Sequence, residues 1–188
     1  MTEKVIGITG PSGAGKSTLS RKLAAHFDYT LVPIGEVMRE SAKRKGFAGL
    51  TAYAEEKGIK ALFADFRKDV LEAIGACDIG GVIADGVYEY ELFEALKLKY
   101  NNDLILVGIS LSDEDRVRRI GIRMADSEHS DMTALAEMRR RDKFKIDVGL
   151  EAVLKKADIT IEKSEALLAP DEIVQACVER LSPLLRRR

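Results

Sequence analysis

A lysine and a serine stand at the end of a glycine-rich run near the start of the chain. Lys16 and Ser17 close the run Gly-Pro-Ser-Gly-Ala-Gly-Lys-Ser at positions 10–17, directly after an apolar segment. Glycines let backbone amides wrap a phosphate, a lysine here reaches the β- and γ-phosphates, and the hydroxyl can ligate Mg²⁺. A simple turn needs neither side chain, so the pattern predicts a loop that binds a nucleoside triphosphate, with ATP and Mg²⁺ as cofactors. The predicted members of this loop are Gly10, Pro11, Ser12, Gly13, Ala14, Gly15, Lys16, Ser17 and Thr18.

Asp85 is the acidic residue best placed to act beside that loop. It follows an apolar run at 82–84 and precedes Gly86. Phosphoryl transfer needs charge neutralisation and in-line positioning more than covalent help from the protein. An aspartate at a strand end can serve as a metal-side ligand or as a base, and the sequence leaves both roles open. The alternative is a turn or a helix cap with no chemical role.

A second group of polar residues follows the apolar run at 30–34. Gly35 should free the backbone at the strand end, with Glu36 beside it, and Arg39 then projects from the next helix. A guanidinium suits an acceptor phosphate or carboxylate because its planar fork matches two oxygens. Arg67 is a weaker candidate for the same role. The alternative for each arginine is a solvated surface charge.

Arginines also bracket a polar stretch later in the chain. Arg116, Arg119 and Arg123 share one helical face at spacings of three and four residues, and Arg141 follows the acidic segment 125–131. Basic helices around a polar loop suggest a lid that closes over the triphosphate and excludes water. Arg119, Arg123 and Arg141 are the predicted transition-state cations. The alternative is a set of surface salt bridges.

Apolar, β-branched runs alternate with longer amphipathic stretches along the whole chain. The runs lie at 5–9, 30–34, 82–84, 104–109 and 159–161, and helical patterns lie at 16–27, 36–45, 59–74, 88–100, 113–124, 132–148 and 170–185. This order predicts an α/β fold, a three-layer, doubly wound sheet of parallel strands with helical crossovers. Ligands bind such sheets beyond the carboxyl ends of the strands, where the candidate residues stand.

Size and charge narrow the classes of function. The chain has 188 residues, which fits one domain spanning 1–188, and 30 basic against 31 acidic residues leave a net charge of −1. We therefore expect no nucleic-acid partner. No apolar run approaches the roughly 20 residues of a membrane span, so we expect no membrane partner either. Cys77 and Cys177 lie far apart without nearby metal ligands, which favours reduced thiols in a cytoplasmic protein.

Together these motifs resemble the nucleoside monophosphate kinase-like group of P-loop kinases, in particular archaeal proteins related to adenylate kinase or to dephospho-coenzyme A kinase. The resemblance rests on 10–18, 34–39, Asp85-Gly86, Arg119, Arg123, Arg141-Asp142 and 157–161. It implies a P-loop NTPase fold of the nucleotide-kinase type with a five-stranded parallel sheet. It also implies an acceptor-binding helical insert at about 36–75 and a lid at about 124–141. The loop around Lys163 and Ser164 should lie near the donor base.

The sequence departs from adenylate kinases at two places. Val87, Tyr88, Glu89 and Tyr90 follow Asp85-Gly86 where those enzymes have an arginine, and no Arg or Lys occurs from 124 to 138. From the resemblance we expect an ATP-dependent phosphotransferase whose small, already phosphorylated acceptor is a nucleoside monophosphate or of dephospho-coenzyme A type. The alternatives are a kinase for a non-nucleotide such as phosphomevalonate, and a nucleotide-dependent switch or regulatory ATPase. The expected assembly is a monomer or homodimer. The predicted acceptor-binding residues are Gly35, Glu36, Arg39, Arg67, Gly86 and Tyr88.

Overall fold

The computed structural model describes residues 4–77, 80–125, 133–162 and 170–186. Its centre is one five-stranded sheet in which all neighbouring strands are parallel, in the order β2-β3-β1-β4-β5. The strands are β1 Lys4–Thr9, β2 Thr30–Pro33, β3 Gly81–Asp85, β4 Leu104–Ile109 and β5 Ile159–Ile161. The predicted α/β fold with a five-stranded parallel sheet is confirmed.

Helices cover both faces of the sheet, which makes three layers. They are α1 Lys16–Phe27, α2 Ile34–Arg44, α3 Leu50–Lys57, α4 Ile59–Gly75, α5 Tyr90–Tyr100, α6 Asp113–Ala125, α7 Ala134–Asp147, α8 Leu150–Leu154 and α9 Pro170–Leu185. On one face, Leu23 of α1 and Leu181 of α9 pack with Ile83 of β3. On the other face, Phe66 of α4 and Leu96 of α5 share a core. The doubly wound arrangement follows from the apolar face that each helix presents to the sheet.

Two helices were missing from the sequence prediction. In α3 the structure buries Tyr53 alone, so the helix carries too few apolar positions for a clear periodic pattern. Helix α8 has five residues and starts after Gly149, whose φ of 106° is left-handed. Both segments owe their helical form to the neighbours they pack against.

Two predicted boundaries also move. Strand β2 ends at Pro33, and Gly35 therefore lies inside the first turn of α2 instead of at the strand end. A Cβ on Gly35 would lie 3.4 Å from Nη1 of Arg39, so the glycine leaves room for that guanidinium. Helix α5 begins at Tyr90 instead of Tyr88, because the residues after β3 first hydrogen-bond to β1. The Val87 N–H donates to the Ile8 carbonyl.

Gly10 marks the point where β1 turns into the glycine-rich loop. Its φ is 146°, and a Cβ there would lie 2.5 Å from the carbonyl oxygen of Ile109 at the end of β4. A side chain at this position would force β1 and β4 apart. The close approach of β4 therefore requires the first glycine of the run. In the four described ranges, no helix combines the length and apolar character needed to cross a membrane.

Candidate active site

A large cleft opens at the carboxyl ends of β1, β2 and β3. Its volume is about 1110 Å³. Most of the predicted site residues line it: Ser12, Gly13, Lys16, Ser17, Gly35, Glu36, Arg39, Asp85, Gly86, Tyr88, Arg123 and Arg141. Of the other predicted loop members, Gly10, Pro11, Ala14 and Gly15 belong to the turn between β1 and α1, and Thr18 lies in the first turn of α1. The parallel sheet thus brings together residues that are up to 129 positions apart in the chain (141 − 12).

The loop residues form a positively charged entrance to α1. Gly15 precedes the helix with φ 97°, and its carbonyl accepts hydrogen bonds from the amides of Thr18 and Leu19, both at 3.1 Å. The Lys16 ammonium donates to the Pro11 carbonyl at 2.8 Å. Burial lowers the pKa of Lys16, and the nearby Lys145 ammonium lowers it further. Amides at a helix start together with a lysine suit a phosphate group.

Asp85 and Ser17 are the residues of the cleft that we predict to hold a metal ion. Oδ1 of Asp85 is buried and has no hydrogen-bond partner among the described residues. Ser17 is exposed in the same cleft. Within the described ranges, no cluster of three His, Cys, Asp or Glu residues could hold a metal by itself. One orphaned carboxylate oxygen and one hydroxyl fit Mg²⁺, which takes few protein ligands and completes its shell with water and substrate phosphates.

Ser12 is held by three side chains that the sequence did not assign to the loop. Its N–H donates to Oδ1 of Asp142 at 2.9 Å, and its carbonyl accepts from Nε of Arg116 at 2.8 Å. Its hydroxyl accepts from Nζ of Lys145 at 3.0 Å. Arg116, whose side chain is 7% exposed, also pairs with Asp142 and with Asp113. The helices α6 and α7 therefore fasten directly onto the phosphate-binding loop.

The three predicted transition-state cations divide between two places. Arg123 and Arg141 line the cleft. Arg119 is not among the residues that line the cleft, and its Nη1 donates to the Ala14 carbonyl of the loop at 3.4 Å. Nε of Arg141 donates to Glu137 at 2.5 Å. Hydrogen bonds from Arg140 and Arg141 lower the pKa of Glu137 to about 2.

The predicted acceptor arginines also differ in position. Arg39 lines the cleft with its side chain 53% exposed, and Nη2 lies 3.9 Å from Glu36. Arg67 does not reach the cleft wall, because it pairs with Glu89, which is 5% exposed, and with Glu91. The hydrogen bond to Glu89 raises the pKa of Arg67. Sequence spacing did not reveal this pair, since its partners are 22 residues apart on different elements.

Two aromatic residues of the cleft wall, Tyr88 and Phe144, pack against Phe63. Phe63 of α4 lies 5.8 Å from the Tyr88 ring and 5.5 Å from the Phe144 ring, measured between centroids. Burial raises the pKa of Tyr88 to about 12, so its hydroxyl remains a hydrogen-bond donor at neutral pH. Residues missed by the sequence analysis complete the cleft: Arg140, Phe144, Lys145 and parts of 48–55. Residues 126–132 of the lid predicted at about 124–141, together with Lys163 and Ser164, lie outside the described residues.

Comparison with known proteins decides the family. The family model described as an AAA domain matches residues 9–139. Cytidylate kinase of Pyrobaculum islandicum is 32% identical over 143 residues, which are 74% of this chain and 70% of that protein. The chain belongs to the nucleoside monophosphate kinase-like P-loop small-molecule kinases. Membership of this family agrees with the glycine-rich loop, the parallel sheet and the cleft that the loop lines.

Other relatives match shorter parts of the kinase. Cytidylate kinase of Syntrophotalea carbinolica is 44% identical over 75 residues, which are 37% of this chain and 32% of that protein. The chain thus spans about a third of the length of this relative. Among solved structures, shikimate kinase of Bacteroides thetaiotaomicron has a TM-score of 0.70 at 18% identity, with 95% of this chain and 98% of that chain covered. That likeness shows the fold.

Proposed function

We propose that this kinase transfers the γ-phosphoryl group of ATP to a small acceptor that already carries a phosphate. The observation that supports the proposal is the shape of the site, since one cleft joins the phosphate-binding loop to Arg39 and Tyr88. Its volume of about 1110 Å³ exceeds the upper end of ordinary single-ligand pockets, roughly 1,000 Å³. A cleft of this size has room for two small substrates.

The donor half neutralises charge on the triphosphate. The loop amides and Lys16 hold the β- and γ-phosphates, while Ser17 and Asp85 are the residues that would hold Mg²⁺. When bound, the metal adds charge neutralisation between the donor phosphates. Arg123 and Arg141 lie on the α6 and α7 side of the same cleft and counter the charge that develops on the transferring group.

The transfer itself exchanges one phosphorus–oxygen bond for another. The bond between the γ-phosphorus and the bridging β,γ-oxygen breaks, and a bond from an acceptor oxygen to the γ-phosphorus forms. A phosphate acceptor brings no proton that must leave, whereas a hydroxyl acceptor loses one. Asp85 stands at the end of β3 and is the register partner of Ile8, which lies in β1 shortly before the loop. It accepts that proton if the acceptor is a hydroxyl and otherwise serves as the metal-side ligand.

On the acceptor side, Arg39 is the proposed anchor for the acceptor's own phosphate, with Gly35, Glu36, Gly86 and Tyr88 around it. Arg67 is engaged by Glu89 and Glu91, which favours an acceptor with one phosphate group in this half of the cleft. The cytidylate kinases among the relatives support a nucleoside monophosphate as the first candidate. Tyr88, which lines the cleft where adenylate kinases have an arginine shortly after Asp85-Gly86, favours a hydroxylated non-nucleotide monophosphate as the second.

The proposal is tested by measuring ADP formation from ATP and Mg²⁺ with a panel of acceptors. The panel holds the nucleoside monophosphates, dephospho-coenzyme A and the phosphorylated mevalonates, each with the Lys16→Ala variant as the inactive control. We expect one class to accelerate ADP release at least tenfold and to yield a phosphorylated product. ATP hydrolysis that no acceptor changes, but that a protein partner accelerates, contradicts the kinase proposal and supports a switch.

A further inference from the structure

Lys145 lies between the two halves of the cleft. Its ammonium donates to the Ser12 hydroxyl of the phosphate-binding loop at 3.0 Å. The same ammonium stands 5.3 Å from the ring centroid of Tyr88 on the acceptor side. One cation thus touches both the donor loop and the acceptor wall. The group that moves from donor to acceptor must cross the space between them.

Lys145 also lies near Lys16 of the phosphate-binding loop. Lys16 of such a loop reaches the β- and γ-phosphates. Lys145 is close enough to Lys16 that its charge is, after burial, the largest cause of the lowered pKa of that lysine. Two ammonium groups held this close repel one another unless an anion lies between or beside them. The γ-phosphate is the part of the donor that such a pair can share.

The charges that surround Lys145 come from every element packed against it. Lys16 on the loop, Arg116 on α6 and Arg141 on α7 are cations, and Asp85 at the end of β3 is the opposing carboxylate. Burial lowers the pKa of Lys145 to about 8, so the group is still protonated at neutral pH. In the part of the chain that the structure describes, no carboxylate forms an ion pair with Lys145. Its charge is available to a ligand.

Packing fixes the lysine in this place. The preceding Phe144 stacks on Phe63 of α4, and Asp142, one turn before Lys145, is tied to Ser12 and Arg116. Helix α7 is therefore held both by α4, through Phe144, and by the loop and α6, through Asp142. A catalytic cation on a long, flexible stem gains from such clamping, because less rotational freedom is lost when the phosphate arrives.

We propose that Lys145 is a catalytic residue that contacts the γ-phosphoryl group during its transfer. The inference rests on the proposed function and adds to it a second lysine that acts with Lys16. Lys145 stays protonated throughout and forms no covalent bond. Its ammonium donates to a γ-phosphoryl oxygen and offsets the negative charge that spreads over the transferring group.

The experiment compares nucleotide affinities of the wild-type protein with those of Lys145→Met. The probes are ADP, a non-hydrolysable ATP analogue and ADP with aluminium fluoride, each with Mg²⁺, measured by calorimetry. We expect ADP affinity within about twofold of wild type and a loss of about 10-fold or more for the ATP analogue. The loss for ADP with aluminium fluoride, a mimic of the transferring group, is larger again. Lys145→Arg restores part of both affinities because it retains the charge.

Lys143→Met is the matched control, since Lys143 lies on the same helix, is exposed and is absent from the cleft wall. It should bind all three probes like the wild type. Equal losses for ADP and the ATP analogue in Lys145→Met, or no loss at all, overturn the inference and leave the proposed function standing. Wild-type protein that binds neither nucleotide overturns the proposed function itself.

Discussion

Two lysines with lowered pKa values lie near one another at the phosphate-binding loop. Lys16 and Lys145 hold their ammonium groups close together, and burial lowers the pKa of each. A lysine that the fold keeps charged against its preference destabilises the folded state. In a site that binds a highly charged ligand, this loss of stability is offset when the ligand binds. Lys145 therefore should reveal itself in the pH dependence of stability.

We expect the melting temperature of Lys145→Met, relative to the wild type, to fall as pH rises from 7.5 to 10. Lys145 titrates at about 8 when folded and near its ordinary value of 10.5 when unfolded. Below pH 8 both states carry the proton, so the destabilisation by Lys145 is fully present. Between the two values the unfolded chain binds more protons, and wild-type stability gains on the variant. Scanning calorimetry of both proteins and of Lys143→Met checks this; a constant difference across the range contradicts it.

Arg39 provides the residue-scale test of the acceptor half. Arg39→Ala should raise the acceptor KM about 10- to 100-fold, because a hydrogen bond to a charged group is lost. The affinity for ATP should stay within twofold, since Arg39 stands on α2, whereas the loop is held by α6 and α7. Lys43→Ala, an exposed cation later on α2, is the control. An equal loss of ATP affinity in Arg39→Ala would place this arginine on the donor side.

At the scale of elements, α6 and α7 are fastened to the loop through one ion pair. Arg116 of α6 and Asp142 of α7 pair with each other, and each also holds the Ser12 backbone. Since both groups are largely withdrawn from water, each depends on the other for compensation. We therefore expect α6 and α7 to move together with the phosphate-binding loop.

Asp142→Ala should lower the free energy of unfolding by about 3 kcal/mol, because Arg116 and the Ser12 amide lose a buried partner. It should also weaken ATP binding, since the loop loses its support. Asp147→Ala removes an exposed carboxylate from the same helix and should stay within about 0.5 kcal/mol of wild type. Urea denaturation measures both. The interpretation fails if the two variants have the same midpoint.

At the scale of the whole molecule, donor and acceptor elements meet at one edge of the sheet. Parallel strands with helices on both faces leave their carboxyl ends open, and the order β2-β3-β1-β4-β5 places β1 at the centre. Helices α2 to α4 stand on one side of the cleft and α6 with α7 on the other. A ligand bound between them must link parts of the chain that are distant in sequence, and so stabilise the fold as a unit.

We expect ATP with Mg²⁺ at about 100 times its Kd to raise the melting temperature by about 5–10 °C. Mass action supplies about 2.7 kcal/mol at that concentration, which corresponds to such a shift for a chain of this size. Removing Mg²⁺ with EDTA should reduce the shift, and Lys16→Ala should abolish most of it. Differential scanning fluorimetry provides the comparison. A shift that EDTA leaves unchanged contradicts the role of Ser17 and Asp85 as metal ligands.

Local patterns in the sequence were enough to predict the fold class and the donor loop. The loop depends on residues that are adjacent in the chain, and Gly10 through Ser17 have the required types at the required spacing. Continuous apolar, β-branched runs and helical patterns of period 3.6 are also local, so the five strands and seven of the helices that the structure describes were predicted. Because parallel strands share one edge, Asp85 and Arg39 could be expected beside the loop. Their chemical roles stay predictions.

Tertiary structure decided which charged side chains face the cleft. Lys145 and Ser12 are 133 residues apart, and Ser12 and Asp142 are 130 residues apart, so no local pattern links them. Arg67 and Arg39 look alike in sequence, yet packing of α4 against the start of α5 gives Arg67 to Glu89 and leaves Arg39 in the cleft. The physical reason is that residue spacing determines on which face of a helix a charged residue lies. Which group then contacts that residue depends on how the whole chain packs.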